Sequence, residues 1–252
     1  MTTVAEKYER DGFFILEKSI PEHVVDAYLD MYQAEHGDSL AGWGRSEQYN
    51  KHVEIKDVLC HPSIEDAFSQ IEMAAALHIE MTMQKSTECK WHKDSVLQDP
   101  FAASTYIGVF VCLEDIDPSS GPFEVIPGSH KWDNLVPLMT REIIEQPNIG
   151  EELMETLILE EAEKRNSDVF TFLGKKGDVL IWHSQLAHRG SPVSGKERRK
   201  TVIGHYCGNY SHDLHKGPLP EYQTRVAEMQ KQTERYARHG EGGVMYFREV
   251  EW

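Results

Sequence analysis

Thirteen of the 252 residues are histidine, and five of these stand two positions before an acidic residue: His36, His52, His78, His92 and His239. Alternate residues of an extended chain project to the same face, so such a pair sets an imidazole beside a carboxylate. A second histidine from elsewhere would complete a set of two imidazoles and one carboxylate. That set holds iron(II) on one side and leaves positions open on the other. A histidine-rich chain produces such pairs by chance, so their surroundings must choose among them. His36 follows a helical segment, His78 stands near the end of a second one, and His239 lies in a glycine-rich tail. His92-Lys93-Asp94 opens the strand-rich part of the chain.

The other end of that part reads GDVLIWHSQLAHRGSPVSGKERRKTVIGHY. It offers two further ligand candidates, His183 and His188, which periodicity does not separate. Arg199 follows His188 by eleven positions, across the Gly190-Ser191-Pro192 and Ser194-Gly195 turn signals. A strand carrying the histidine can therefore return with the arginine beside the metal. Guanidinium is a planar fork of donors that matches a carboxylate, a geometry lysine does not offer. A metal and one arginine a few ångströms apart can grip the two ends of a short dicarboxylate. Arg199 sits in the charge run Lys196-Glu197-Arg198-Arg199-Lys200, and such runs usually face water. Strand alternation separates the two arginines, however. Arg199, Thr201, Ile203 and His205 share one face, and Arg198, Lys200 and Val202 share the other.

The elements that must position these residues fall into two regions. Residues 13–18 form a short strand entered through Asp11-Gly12. A helix then begins near Pro21 with Val24, Tyr28, Met31 and Tyr32 on one face. A second helix starts from Ser63 as N-cap, with Ile64, Phe68, Ile71 and Ala75 as its stripe. From Ile79 onward the segments IEMTMQK, STYIGVFVCLED, FEVIP, VFTFL, DVLIWH and RKTVIGHYC are rich in β-branched and aromatic residues, separated by Pro/Gly/Ser/Asp turns. Early helices followed by many short strands without βαβ alternation predict a mainly β fold, an antiparallel sandwich or jelly roll with flanking α-helices. The expected organisation is one domain over 1–252. It has a helical part at 1–78, a β core at about 79–210 interrupted by a helical insert at about 140–166, and a charged surface helix at about 221–238.

Composition limits the partners. Lys and Arg total 26 against 42 Asp and Glu, a formal charge of −16, which repels phosphate backbones and anionic lipid. Nucleic acid and membrane are therefore excluded as expected partners, a small molecule is favoured, and the oligomeric state is unreadable. The charged N-terminus and the lack of a long apolar run predict a cytoplasmic protein. Cys60, Cys89, Cys112 and Cys207 form no CxxC pair and read as free thiols.

An ordered set of segments resembles the phytanoyl-CoA dioxygenase family of iron(II)/2-oxoglutarate oxygenases. It comprises Tyr8-Glu-Arg-Asp-Gly-Phe-Phe-Ile-Leu16, Trp91-His92-Lys93-Asp94, Leu113-Glu114-Asp115-Ile116-Asp117 and Gly121-Pro-Phe-Glu-Val-Ile-Pro-Gly-Ser-His-Lys131. Gly177-Asp178-Val179-Leu180, His188 and Arg199 complete it. The resemblance implies a double-stranded β-helix of the cupin-like type and a metal held by His92, Asp94 and His188, in preference to His183. It also implies Fe(II), 2-oxoglutarate and O2 as the reacting groups, with succinate and carbon dioxide released and a small molecule hydroxylated or otherwise oxidised. Arg199 would bind 2-oxoglutarate, Met83 and Phe110 would line its pocket, and Ser191 would add a contact, one position later than the serine of relatives. His130, in the family's Pro-Gly-Ser-His turn, reads as structural. Asp94 fills the place where related halogenases carry a small residue. Two rival readings remain, a cupin-type isomerase and a non-catalytic binding protein. Neither needs Arg199.

Overall fold

The β-branched and aromatic segments pair into two sheets whose facing sides enclose the ligand candidates. The structure is a computed structural model and describes residues 2–40, 42–46, 48–73, 75–94, 106–132, 147–208 and 246–247. Its strands are β1 (Phe13–Leu16), β2 (Trp43–Ser46), β3 (Ala75–Lys85), β4 (Tyr106–Cys112), β5 (Phe123–Val125), β6 (Phe170–Phe172), β7 (Val179–His183), β8 (His188–Gly190), β9 (Arg198–Gly208) and β10 (Tyr246–Phe247). The large sheet runs β1-β7-β4-β9-β3-β10, with β2 paired to β3, and the small sheet runs β6-β5-β8. Every pairing is antiparallel except β10 with β3. A bridge between His92 and His188 places the His92 segment beyond β8, as a fourth element of the small sheet.

Alternation sorts each strand of the large sheet into an inner and an outer face. On β4, Ile107, Val109 and Val111 belong to the outer core, while Phe110 and Cys112 face the small sheet. β7 divides the same way, with Val179 and Ile181 outward and Leu180 and Trp182 inward. β3 changes parity part-way. A register shift between Leu77 and Ile79 inserts one residue, so Leu77 packs outward but Met81 and Met83 pack inward.

Helices cover the outer face. α1 (Val4–Asp11) opens with a Thr3/Glu6 capping box and stops at Gly12, whose φ of 80° suits glycine. The following α2 (Glu22–His36), α3 (Val53–Leu59) and α4 (Pro62–Gln70) bury Val25, Tyr28 and Tyr32, then Ile55, Val58 and Leu59, then Ile64, Ala67 and Phe68. These spacings of three and four residues give each helix one apolar face against the sheet. The N-cap of α4 is His61 rather than Ser63. Pro62 takes the first helical position, and the His61 ring accepts the Ser63 amide. Ala75 belongs to β3 instead of the stripe of this helix.

The predicted insert contains α5 (Pro147–Arg165). Its Met154 and Ile158 pack with Trp91, Ile126, Trp132 and Ala187 on the back of the small sheet. The surface helix expected at about 221–238, residues 140–146 of the insert and the loop from Ser95 to Ser104 lie outside the described residues. Among the described residues no helix is long and apolar enough to cross a membrane.

One position in the inner layer has no room for a side chain. Gly108 lies opposite Trp182 across β4 and β7, and a Cβ on it would stand 2.0 Å from the indole. Gly108→Ala must push the ring aside and is expected to destabilise the protein by about 1–3 kcal/mol. The measurement is a denaturant titration, and an unchanged midpoint would disprove this packing constraint.

Candidate metal centre

The inner faces converge on His92, Asp94 and His188, whose ligand atoms all lie within 4.8 Å of one another. The backbone does most of the positioning. The amide of His92 donates to the carbonyl of His188 at 3.1 Å, and that of His188 returns to the carbonyl of His92 at 3.0 Å. This reciprocal pair sets the two residues side by side, with ring centroids 4.2 Å apart. His92 Nδ1 donates to the carbonyl of Lys90 at 2.8 Å, and His188 Nδ1 donates to that of Leu186 at 2.9 Å. Each imidazole therefore leaves its Nε2 as the atom a metal would take.

A turn on the back of the small sheet ties the two histidine segments together. Lys93, buried between the two ligand candidates, donates from Nζ to the carbonyl of Ser129 at 2.8 Å. Ser129 Oγ accepts the amide of Ala187 at 2.8 Å, and the amide of Ile126 donates to the carbonyl of Ala187. The Pro127–His130 turn thus acts through backbone contacts, as the sequence suggests. The ring of His130 meets the Glu9 carbonyl at 3.1 Å through Nε2. Burial pushes the Lys93 ammonium down to about 8.

Asp94 is held from the opposite side. Trp182 Nε1 donates to its Oδ2 at 3.0 Å. Oδ1 lies 3.6 Å from His188 Nε2 and 3.9 Å from His92 Nε2. Burial works against charge on this carboxyl, yet His188, His205, His92 and the Trp182 N–H together hold it below its ordinary range. The two imidazoles diverge. Burial drives His188 down to about 4 against the pull of Asp94. Burial opposes charge on His92 too, but the Cys89 sulfur, Asp94 and the Lys90 carbonyl outweigh it and lift the ring to about 9.

A second group of residues lies further along the same faces. Arg199 is only 2% exposed although it stands in a charge run. It donates from Nη1 to the Gly121 carbonyl and lies 5.5 Å over the Phe110 ring. Its Nε has no hydrogen-bond partner among the described residues, and neither has Thr201 Oγ on the same strand face. Burial lowers the guanidinium to about 10, so it stays charged at neutral pH. A buried cation beside an unpartnered hydroxyl is an incomplete arrangement, which an entering carboxylate would complete. Met83 sits directly opposite Thr201, and the wall continues through Phe110, Phe123, Phe172, Leu180 and Ile203.

Not every expected residue joins these groups. Ser191 is buried, but its hydroxyl donates to the Pro122 carbonyl at 2.8 Å and braces the Gly121-Pro122 turn, so its proton is already committed. His183 ends β7 beside Tyr8 and His130, with its Nδ1 accepting the Gln185 amide. That removes it from the ligand candidates. Arg198 donates to the Asp38 carbonyl on the other side of β9. Trp43 packs against Tyr32 and His36 on the helix side.

Trp182, Lys93, Thr201 and Cys89 were not singled out by sequence reasoning. The first three carried some signal in strand alternation or in their place beside a ligand. Cys89 carried none. Its sulfur accepts the Gly190 amide at 3.1 Å and the Thr87 hydroxyl at 3.2 Å. Burial opposes its ionisation, but His92 and these donors bring the thiol down to about 7.

The comparisons with known proteins come down on one fold and one family. The protein family described as Phytanoyl-CoA dioxygenase (PhyH) matches residues 8–201. No curated protein matches the chain. Among solved structures, SnoK, a non-haem alpha-ketoglutarate-dependent carbocyclase from nogalamycin biosynthesis, is similar at a TM-score of 0.60 and 16% identity, over 82% of this chain and 83% of that one. The epimerase SnoN, solved with Fe3+, alpha-ketoglutarate and nogalamycin RO, is similar at 0.58 and 18% identity, over 86% and 89%. EctD from S. alaskensis with bound Fe gives 0.58 and 18%, over 88% and 82%. At these identities the structures establish the fold, a jelly roll of two facing sheets.

Metal must displace a proton from His92 below about pH 9, whereas His188 is already neutral well below pH 7. Affinity for a divalent metal should therefore rise with pH, by roughly tenfold per unit, and level off near pH 9. Co(II) titrations between pH 6 and 9, with proton release followed in weak buffer, read this directly. A flat profile would show that His92 does not carry that proton.

Proposed function

The chain belongs to the phytanoyl-CoA dioxygenase family, and on that footing we propose that it is an iron(II)- and 2-oxoglutarate-dependent oxygenase that hydroxylates or otherwise oxidises a small molecule. The observation that carries this reading is the pairing of two features. Three ligand atoms converge within 4.8 Å, and a buried arginine on the same inner face lacks a partner for its Nε. Metal alone would satisfy the first feature but leave the second unexplained. A metal together with a dicarboxylate satisfies both.

His92, Asp94 and His188 would hold iron(II) through Nε2, a single carboxylate oxygen and Nε2. Ring orientation and the carboxylate charge are already arranged for it, since both Nδ1 atoms are bound to carbonyls and Asp94 is held in its ionised form. Arg199 would pair with the far carboxylate of 2-oxoglutarate and Thr201 would donate to it, ending the isolation of both groups. Met83 and Phe110 would bound the chain between the carboxylates. The aromatic and aliphatic wall excludes water from the reacting atoms. When bound, iron and 2-oxoglutarate supply the oxidising power, with succinate and carbon dioxide as by-products. A cupin-type isomerase would need the metal set but not a buried guanidinium, so Arg199 favours the oxygenase.

Asp94→Ala and His188→Ala are each expected to abolish substrate-dependent succinate formation, read by coupled assay or mass spectrometry. Normal turnover in either variant rejects the assignment. Arg199→Ala should raise the 2-oxoglutarate requirement roughly 10- to 150-fold, the equivalent of about 1.5–3 kcal/mol for a charge-assisted pair. An unchanged requirement would place the grip on the co-substrate elsewhere.

A further inference from the structure

His205 is a third histidine at the metal centre that no ligand role accounts for. It follows Arg199 by six positions on the inner face of β9, with Thr201 and Ile203 between them on that face. At about 3.3 Å per residue its backbone lies roughly 20 Å from that of Arg199, so it belongs to the other end of the pocket. Its ring is 5% exposed and clamped between two aromatic residues. Tyr106 stacks on it at 5.2 Å and 25°, and Trp182 meets it edge-on at 5.7 Å and 79°. This clamp aims Nε2 at Asp94 Oδ2, 3.7 Å away, the same oxygen that accepts the Trp182 N–H.

The two oxygens of Asp94 are thus divided between two sets of nitrogens. Oδ1 faces Nε2 of His92 and of His188, and Oδ2 faces Trp182 and His205. A carboxylate held at one oxygen by the Trp182 hydrogen bond, with the His205 nitrogen 3.7 Å from that same oxygen, presents the other oxygen to a metal. Free rotation about the Cβ–Cγ bond would instead let both oxygens bind and fill a position that the co-substrate or oxygen needs. Partners behind a ligand typically set its orientation and basicity, and removing one costs about 10- to 100-fold in metal affinity.

We propose that His205 is a positioning residue which, with Trp182, holds Asp94 Oδ2 so that Asp94 gives the metal a single oxygen. The inference rests on His92, Asp94 and His188 being the ligand set. It predicts that the donor atom of residue 205 matters more than its ring, which separates it from a packing role.

The test is a titration of the full chain with Fe(II) under anaerobic conditions and with Co(II), whose visible absorption reports ligand geometry. His205→Phe keeps a ring for Tyr106 to stack on and removes the donor. It should lose about 10- to 100-fold in affinity and change the Co(II) spectrum. His205→Gln drops the ring but keeps an N–H donor of similar reach, and should stay within about threefold of the parent, well short of that loss. Trp182→Phe combined with His205→Phe should give a joint loss that differs from the sum of the separate losses, since both act on one oxygen. If His205→Phe does not fold, His205→Leu takes its place in both titrations. Parent affinity and spectrum in the Phe or Leu variant overturns the proposal, as does a weak Gln variant beside a normal Phe one. If the unaltered protein binds neither metal, the proposed function falls and this inference with it. If the unaltered protein binds metal and the Phe variant matches it, only the role of His205 is lost.

Discussion

The two backbone hydrogen bonds exchanged between His92 and His188 are the constraint on which the site depends. They join segments from opposite ends of the β core and fix the imidazoles side by side before any metal arrives. Side-chain contacts alone would leave each ring free to turn away. The bridge sets the spacing, the Lys90 and Leu186 carbonyls set the ring orientation, and the Ser129 turn keeps both segments in register from behind. Asp94 then needs only to be brought up from the side, which Trp182 does. Gly108 lets the indole lie flat enough on β4 to reach it.

The electrostatics of the pocket run against those of the molecule. A chain of formal charge −16 buries a guanidinium and gathers several imidazoles around one carboxylate. The surrounding imidazoles and the Trp182 N–H explain why Asp94 stays ionised despite its burial. The buried guanidinium gives the interior an attraction for a dianion that the acidic surface would repel. Leaving Arg199 buried without a carboxylate costs free energy in the empty protein. Such a cost is common where a binding site is organised before its ligand enters.

Much of this was legible in the chain. The strands announced themselves, because β-branched and aromatic runs between turn residues suit little else. The facing of Arg199 followed from alternation, since a residue two steps from Thr201 and four from Ile203 shares their side of the sheet. The capping box of Thr3 and Glu6 was equally readable as a helix start, though only the strand after it was expected. Less could be known of Ser63, displaced from its expected cap because Pro62 claims the first turn for His61. The parity change in β3 was hidden, since a bulge leaves the composition of the strand unaltered.

Residue types, spacing and alternation by themselves gave the ligand candidates, the opposite facing of Arg198 and Arg199 and a mainly β fold, because all of these depend on neighbours in the chain. The family resemblance then picked Arg199 and the jelly roll. The place of His183 beside Tyr8 and His130, the commitment of Ser191 to Pro122, and the meeting of Trp182, His205 and Asp94 were decided only in three dimensions. Each turns on which strand lies beside which and on where a hydrogen bond is already taken. Those outcomes depend on contacts between residues far apart in the chain, and no local pattern encodes them.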